Sequence, residues 1–292
     1  MAIAAKRPSA GTVLLAAAAG GALGRLAFNA LRRRPAPISA ALGVEPKAWE
    51  RTNHRGEPVT LLEGPAYAAG ATAAVALVPG LPPRLRAAAV LASAGAGAFG
   101  VYDDLYGNGD RRGLRGHLAA LGKGELTTGG VKLLGIGAVG LVAGALARPA
   151  DSASLTDRLL AGAVVAAGAN MVNLFDLRPG RAIKAATIAA APALLLGDTG
   201  SAGNVIRAAA LGTAAAVLPE DLGERAMLGD AGANALGALL GVAAVSGTGR
   251  GGLLWRAAFL ATLTAASEKV SFTKVIAGSP PLRALDGLGR RV

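Results

Sequence analysis

The chain is predicted to be all-α, a polytopic transmembrane helix bundle of about nine to ten spans. Three observations lead there. Of 292 residues, 52% are hydrophobic and only 16% charged, a balance rarely met in a soluble domain of this length. The mean hydropathy is +0.46. The apolar residues fall into runs near the length of a bilayer crossing, about 20 residues, rich in the alanine and glycine that let membrane helices pack closely.

Nine runs can be placed: 10–31, 64–80, 85–102, 127–147, 157–175, 182–197, 203–218, 231–247 and 252–270. The first is preceded by Lys6 and Arg7 and followed by Arg32, Arg33 and Arg34; its length and flanks read as an anchored helix and not a cleaved signal. The run at 182–197 contains Pro192 and is the weakest. Residues 1–270 form the predicted transmembrane domain and 271–292 a cytoplasmic tail. In that tail Leu282, Leu285 and Leu288 recur every third residue, predicting a short amphipathic helix at the interface.

If the nine spans alternate, the loops divide into two sets. One set carries 19 of the 30 Lys and Arg residues, the other 9. The richer set is expected on the cytoplasmic side of the plasma membrane. A net charge of +12 also raises the question of nucleic acid. The arginines are scattered between apolar runs without a recognition motif, so anionic lipids and phosphorylated ligands are the expected partners, and nucleic acid is not. The absence of cysteine excludes disulfides, thiolate metal sites and cysteine nucleophiles.

Orientation places the acidic residues. FGVYDDLYG puts Asp103 and Asp104 at the cytoplasmic end of span three. ANMVNLFDLRPGRAIK puts Asn170, Asn173 and Asp176 at the same end of span five, spaced so that a continuing helix shows all three on one face. AMLGDAGANALG puts Asp230 at the cytoplasmic start of span eight. A look-alike, GDTGS around Asp198, falls on the opposite side and reads as a turn. Carboxylates held at a membrane edge are costly and usually functional. Together they suit Mg²⁺, which takes one or two carboxylates plus water and phosphate oxygens. Asparagines suit a sugar or base, and nearby cations such as Arg55, Lys123 and Lys132 suit phosphates. His54 and His117 read as solvated loop residues.

Four stretches, in order, then carry a resemblance. RTNHRGEPVTLLEGP (51–65), GVYDDLYG (100–107), NMVNLFD (170–176) and MLGDAGANALG (227–237) resemble the motifs of the polyprenyl-phosphate N-acetylhexosamine-1-phosphate transferases over roughly residues 50–247. The resemblance implies a cytoplasm-facing groove that transfers a sugar-1-phosphate from a UDP-sugar to a polyprenyl phosphate, releasing UMP, in cell-envelope glycan synthesis. It implies catalytic roles for Asp103, Asp104 and Asp230, with Mg²⁺ near Asp104 and Asp230 and Asp103 orienting or deprotonating the acceptor phosphate. Donor contacts fall to Asn170, Asn173 and Asp176, with Arg55, Lys123 and Lys132 as phosphate ligands, and a homodimer is a candidate assembly. Direct attack by the lipid phosphate is the simplest scheme, and a covalent aspartyl intermediate stays open. The chain departs from the family at Pro179, where a second aspartate is usual, and lacks the family's histidine-rich loop. A non-catalytic descendant that binds polyprenyl phosphate or an envelope-synthesis partner is therefore the alternative. A transporter would carry carboxylates near the midplane and inverted repeats, and the sequence shows neither clearly.

Overall fold

A computed structural model describes residues 7–53, 55–107, 116, 122–125, 127–149, 151, 153–198 and 200–291. His54 and His117 lie outside the described residues. Among the described residues, twelve α-helices, one 3-10 helix (Pro46–Trp49) and one two-stranded ribbon account for the regular structure. The nine apolar runs are nine helices: α1 (Ala10–Arg33), α3 (Glu63–Leu77), α4 (Pro83–Tyr106), α5 (Thr128–Ala147), α6 (Leu155–Phe175), α7 (Arg181–Leu195), α8 (Ala202–Leu222), α9 (Gly229–Val245) and α10 (Arg250–Ser267). Five of them, α1, α4, α5, α6 and α8, are long and apolar enough to cross a membrane. Leucines face outward along these helices, among them Leu14, Leu26, Leu134, Leu141 and Leu159, and Trp255 and Phe259 do so on α10. An outward apolar belt of this extent marks a lipid-facing surface. The protein is a helical membrane protein.

Local chemistry sets the helix starts. Ser9 caps α1 and Ser154 caps α6, each in a reciprocal capping box, with Thr12 and Asp157 as the returning side chains. Thr127 caps α5 through the Gly130 amide. Proline opens α4, where its missing N–H costs nothing.

Loops fall at two opposite ends, as alternating helices require. At one end Gly80 and Gly200 lie against Pro8, Arg148 donates to the carbonyls of Val245 and Thr248, and Arg250 pairs with Asp157. The other end holds the four motifs. Helix α9 is the hub, packed on α3, α4, α6 and α8 and buried along nearly its whole length. Its small residues permit this: a side chain on Gly100 of α4 would stand 2.4 Å from the Asp230 carbonyl oxygen, so glycine is what lets α4 reach α9.

The first motif is not a bare loop. Residues Glu50–Thr52 (β1) and Pro58–Thr60 (β2) pair antiparallel, with Arg51 opposite Val59, and Thr60 bridges to Ala226 just ahead of the fourth motif. Beneath the ribbon Trp49, Leu61 and Leu62 form a small separate core, and the Trp49 indole N–H donates to Ser39 at 3.1 Å. The short helix α2 (Ala36–Ala41) supplies that serine. The tail forms two helices, α11 (Phe272–Gly278) and α12 (Pro280–Gly287), the second where leucine spacing predicts one.

Candidate active site

Asp103 and Asp104 end α4 beside the first turn of α9. They have different partners. Asp104 turns inward: its carboxylate accepts from the backbone amides of Asp230 at 3.0 Å and Ala231 at 2.9 Å. It thus caps α9 from a neighbouring helix, where the aligned peptide dipoles favour a negative charge. Gly229 makes this possible. Its φ of +60° suits glycine, and any Cβ there would sit 3.0 Å from an Asp104 oxygen.

Asp103 turns the other way. The Lys132 ammonium on α5 lies 2.6 Å from Asp103 and 2.8 Å from Asp230. Both carboxylates and the lysine are largely shielded from solvent, which strengthens the attraction relative to a surface pair. One ammonium thus serves two carboxylates, and Asp104 and Asp176 add further negative charge to the same electrostatic neighbourhood.

Asp176 reaches this group by leaving its helix. Helix α6 stops at Phe175, and Asp176 takes ψ 55°; Pro179 has no N–H to donate to the Phe175 carbonyl and so cannot continue the helix, and Gly180 turns the chain at φ +68°. The single helical face expected for Asn170, Asn173 and Asp176 is corrected accordingly: it holds for the asparagines only. The Asp176 carboxylate instead lies close to the Gly229 amide at the start of α9. Asn170 donates to Thr264 of α10 at 3.5 Å, an interhelical contact. The Asn173 side chain has no hydrogen-bond partner among the described residues.

The basic candidates separate. Lys132 lies at the centre. Arg55 lies on the ribbon's turn, 3.2 Å from Glu224, and donates to the Arg291 carbonyl, so its guanidinium is engaged by protein groups. Lys123 is exposed in a turn, and no hydrogen bond or ion pair among the described residues joins it to the aspartates. Asp198 sits in the turn between α7 and α8, away from the motif end, and accepts from Gly200 at 2.8 Å.

Several residues at this end were not expected. Arg51 donates to the Asp104 carbonyl and ties the ribbon to the aspartate pair. Asp221 accepts the Gly180 amide at 2.9 Å and holds the turn after Asp176. The adjacent Glu220 and Asp221 end an apolar run just as Asp103 and Asp104 do, so the same signal marks them. Glu63, in the first turn of α3, has 0% exposure, and neither carboxylate oxygen has a partner.

A cavity of about 680 Å³ runs between α6, α7, α9, α10 and the tail. Its walls are apolar, with Met171, Phe175, Ile188, Leu240 and Phe259 among them. Arg181, Lys184 and Asp286 stand at the motif end, and Arg207 and Arg256 toward the other.

Among known proteins, the chain matches no family model and no curated sequence. No group of three acidic or imidazole side chains forms a ready metal cage among the described residues. The Asp103 and Asp230 oxygens nevertheless face a common cation, the Lys132 ammonium, and one or two carboxylates are what Mg²⁺ takes alongside phosphate oxygens and water. The donor set fits that ion.

Proposed function

We propose that the protein transfers a sugar-1-phosphate from a UDP-sugar to a polyprenyl phosphate, releasing UMP, at the cytoplasmic face of the plasma membrane. The observation that carries the reading is the Asp103–Lys132–Asp230 group: two separate motifs and a third helix supply a cation flanked by carboxylates, at the same end of the bundle as Arg181 and Lys184 of an apolar cavity. An apolar lipid chain lying in that cavity would direct its phosphate toward this end. The excess of Lys and Arg in the loops at this end supports the cytoplasmic orientation.

In this scheme an oxygen of the lipid phosphate attacks the β-phosphorus of the donor. The new P–O bond forms as the bond to the α–β bridging oxygen breaks, and UMP leaves with that oxygen. Asp103 accepts the proton of the acceptor phosphate or orients its oxygen. Lys132 neutralises charge that grows on the phosphoryl oxygens. Asp104 positions Asp230 by fixing the first turn of α9. Asp104, expected beside the ion with Asp230, already has both oxygens on backbone amides, so Asp103 and Asp230 are the residues that would hold Mg²⁺, which when bound would neutralise the donor diphosphate. Asn173, with its open amide, is the residue best placed on α6 for the donor's sugar or base.

One observation favours the second reading, a non-catalytic descendant that binds polyprenyl phosphate or an envelope-synthesis partner. Both Asp104 oxygens already hold backbone amides, and Arg55 is already paired with Glu224; these are structural duties that a scaffold would also keep.

The test is UMP release from a panel of UDP-sugars by the purified protein with Mg²⁺ and undecaprenyl phosphate. Release with one donor that disappears in Asp230→Asn supports the transferase. No release from any donor, with lipid binding intact, supports the scaffold.

A further inference from the structure

Arg181 opens α7 and is 5% exposed, yet it lines the apolar cavity. A buried guanidinium needs an anion. Here the tail supplies it: Asp286 of α12 accepts from Arg181 Nε at 2.7 Å and from Nη2 at 2.9 Å, a two-pronged pairing. Lys184, one turn along α7, donates to the Asp286 carbonyl at 2.7 Å, and Thr273 of α11 takes the remaining arm of Arg181 at 2.9 Å. Planar, bidentate recognition of this kind serves carboxylate and phosphate alike.

The element that delivers Asp286 is lightly held. Neither α11 nor α12 has a buried residue, and Leu282, Leu285 and Leu288 all remain exposed. Polar contacts hold its end: Arg290 donates to the Pro179 carbonyl and to Asp286, and Arg291 pairs with Glu57. The tail's bidentate charge pairing is thus made with a cation that belongs to the cavity.

We propose that Arg181 and Lys184 form a phosphate subsite at the cavity mouth, that its ligand is a phosphate monoester on a long apolar chain, and that Asp286 occupies the subsite until the ligand displaces it. The tail is then a lid opened by the substrate itself: the incoming phosphate takes over the Arg181 fork, and α12 leaves with Asp286. The ligand's chemistry rests on the proposed function; the contact between Arg181 and Asp286 does not.

The chain has no cysteine, so Leu288→Cys gives the full-length protein a single labelling site on the outer side of the tail. A spin label there reports tail mobility, measured without donor. Undecaprenyl phosphate is expected to mobilise the label in proportion to its binding, and undecaprenol is not. Asp286→Asn removes the competing charge and is expected to bind undecaprenyl phosphate about tenfold more tightly, while Asp286→Glu keeps the competitor and stays near the native affinity. Inorganic phosphate that mobilises the label as effectively as the lipid would overturn the lipid assignment. A label that stays immobile at saturating lipid phosphate, with Asp286→Asn affinity unchanged, would overturn the subsite altogether. Tail release without UMP formation would count against the transferase alone, and turnover with an immobile tail against the lid alone.

Discussion

Asp104 accepts the backbone amide of Asp230 at 3.0 Å, so one aspartate of the candidate site holds another in place through the main chain. Structural and chemical duties are therefore divided within the adjacent pair. Asp104→Ala uncaps the buried end of α9 and is expected to cost about 2 kcal/mol of stability together with activity. Asp103→Asn is expected to lose activity with much less effect on the fold. Thermal unfolding in detergent beside UMP release separates the two; equal destabilisation by both would contradict the division.

Lys132 compensates two carboxylates at once. Lys132→Met leaves Asp103 and Asp230 facing each other without their cation, at a cost of about 3 kcal/mol. Mg²⁺ added to this variant is expected to restore part of the lost thermal stability, and to do so more than in the native protein. An absence of any Mg²⁺-dependent shift in the variant would argue that these carboxylates do not hold the ion.

Gly100 fixes the approach of α4 to α9. Alanine there would place its Cβ 2.4 Å from the Asp230 carbonyl and 2.5 Å from the Ala231 Cα, both backbone atoms that cannot swing aside. Gly100→Ala is expected to destabilise by about 1–3 kcal/mol and to lower turnover by shifting Asp230. Gly137 of α5, with no atom near its missing Cβ, provides the control: Gly137→Ala is expected to be neutral or slightly stabilising.

Glu63 is buried without a hydrogen-bond partner on either oxygen, and such a group carries a desolvation cost of about 1–3 kcal/mol. Glu63→Met, of similar length and apolar, is expected to unfold at a higher temperature than the native protein. A lower unfolding temperature would show that Glu63 has a stabilising partner in the membrane.

The tail's attachment is expected to depend on pH. Burial raises the Asp286 carboxyl, but the Arg181 and Arg290 guanidiniums outweigh it and hold it below the usual carboxylate range. A depressed folded-state pKa means that the carboxylate's contribution is fully present above its ordinary value, about 4, and is lost as the pH falls below it. Glu57 is lowered in the same direction, by its hydrogen bond to Arg291 first. The label at position 288 is thus expected to stay immobile at neutral pH and to become mobile below about pH 4. Mobility that rises toward alkaline pH would contradict this latch.

Hydrophobic length made all nine helices legible, because each is a mostly apolar run with few charged residues inside it. The tail helix was legible from Leu282, Leu285 and Leu288. The ribbon was not: Glu50–Thr52 and Pro58–Thr60 are three residues each, too short for alternation to register, and they are held by main-chain bonds to Arg225 and Met227. Asp103, Asp104, Asp176 and Asp230 were legible as acids at the ends of apolar runs, and the structure brings them to one end. Which carboxylate caps and which pairs was not, since Asp103 and Asp104 differ only in the direction that one residue of helix rotation gives them. Asn170 reads as part of the same group in sequence, yet it faces Thr264. Arg181 and Asp286 lie 105 residues apart, and no local pattern announces such a pairing.

The most direct test follows the phosphorus itself. The protein is incubated with undecaprenyl phosphate, Mg²⁺ and the UDP-sugar that releases UMP, labelled with ³²P at the β-phosphate. The label is expected to move into the lipid as a sugar-bearing diphosphate in the native protein, and to stay with the donor in Asp103→Asn and Asp230→Asn. Label that appears in water-soluble sugar phosphate, or that reaches the lipid equally well in both variants, would contradict this.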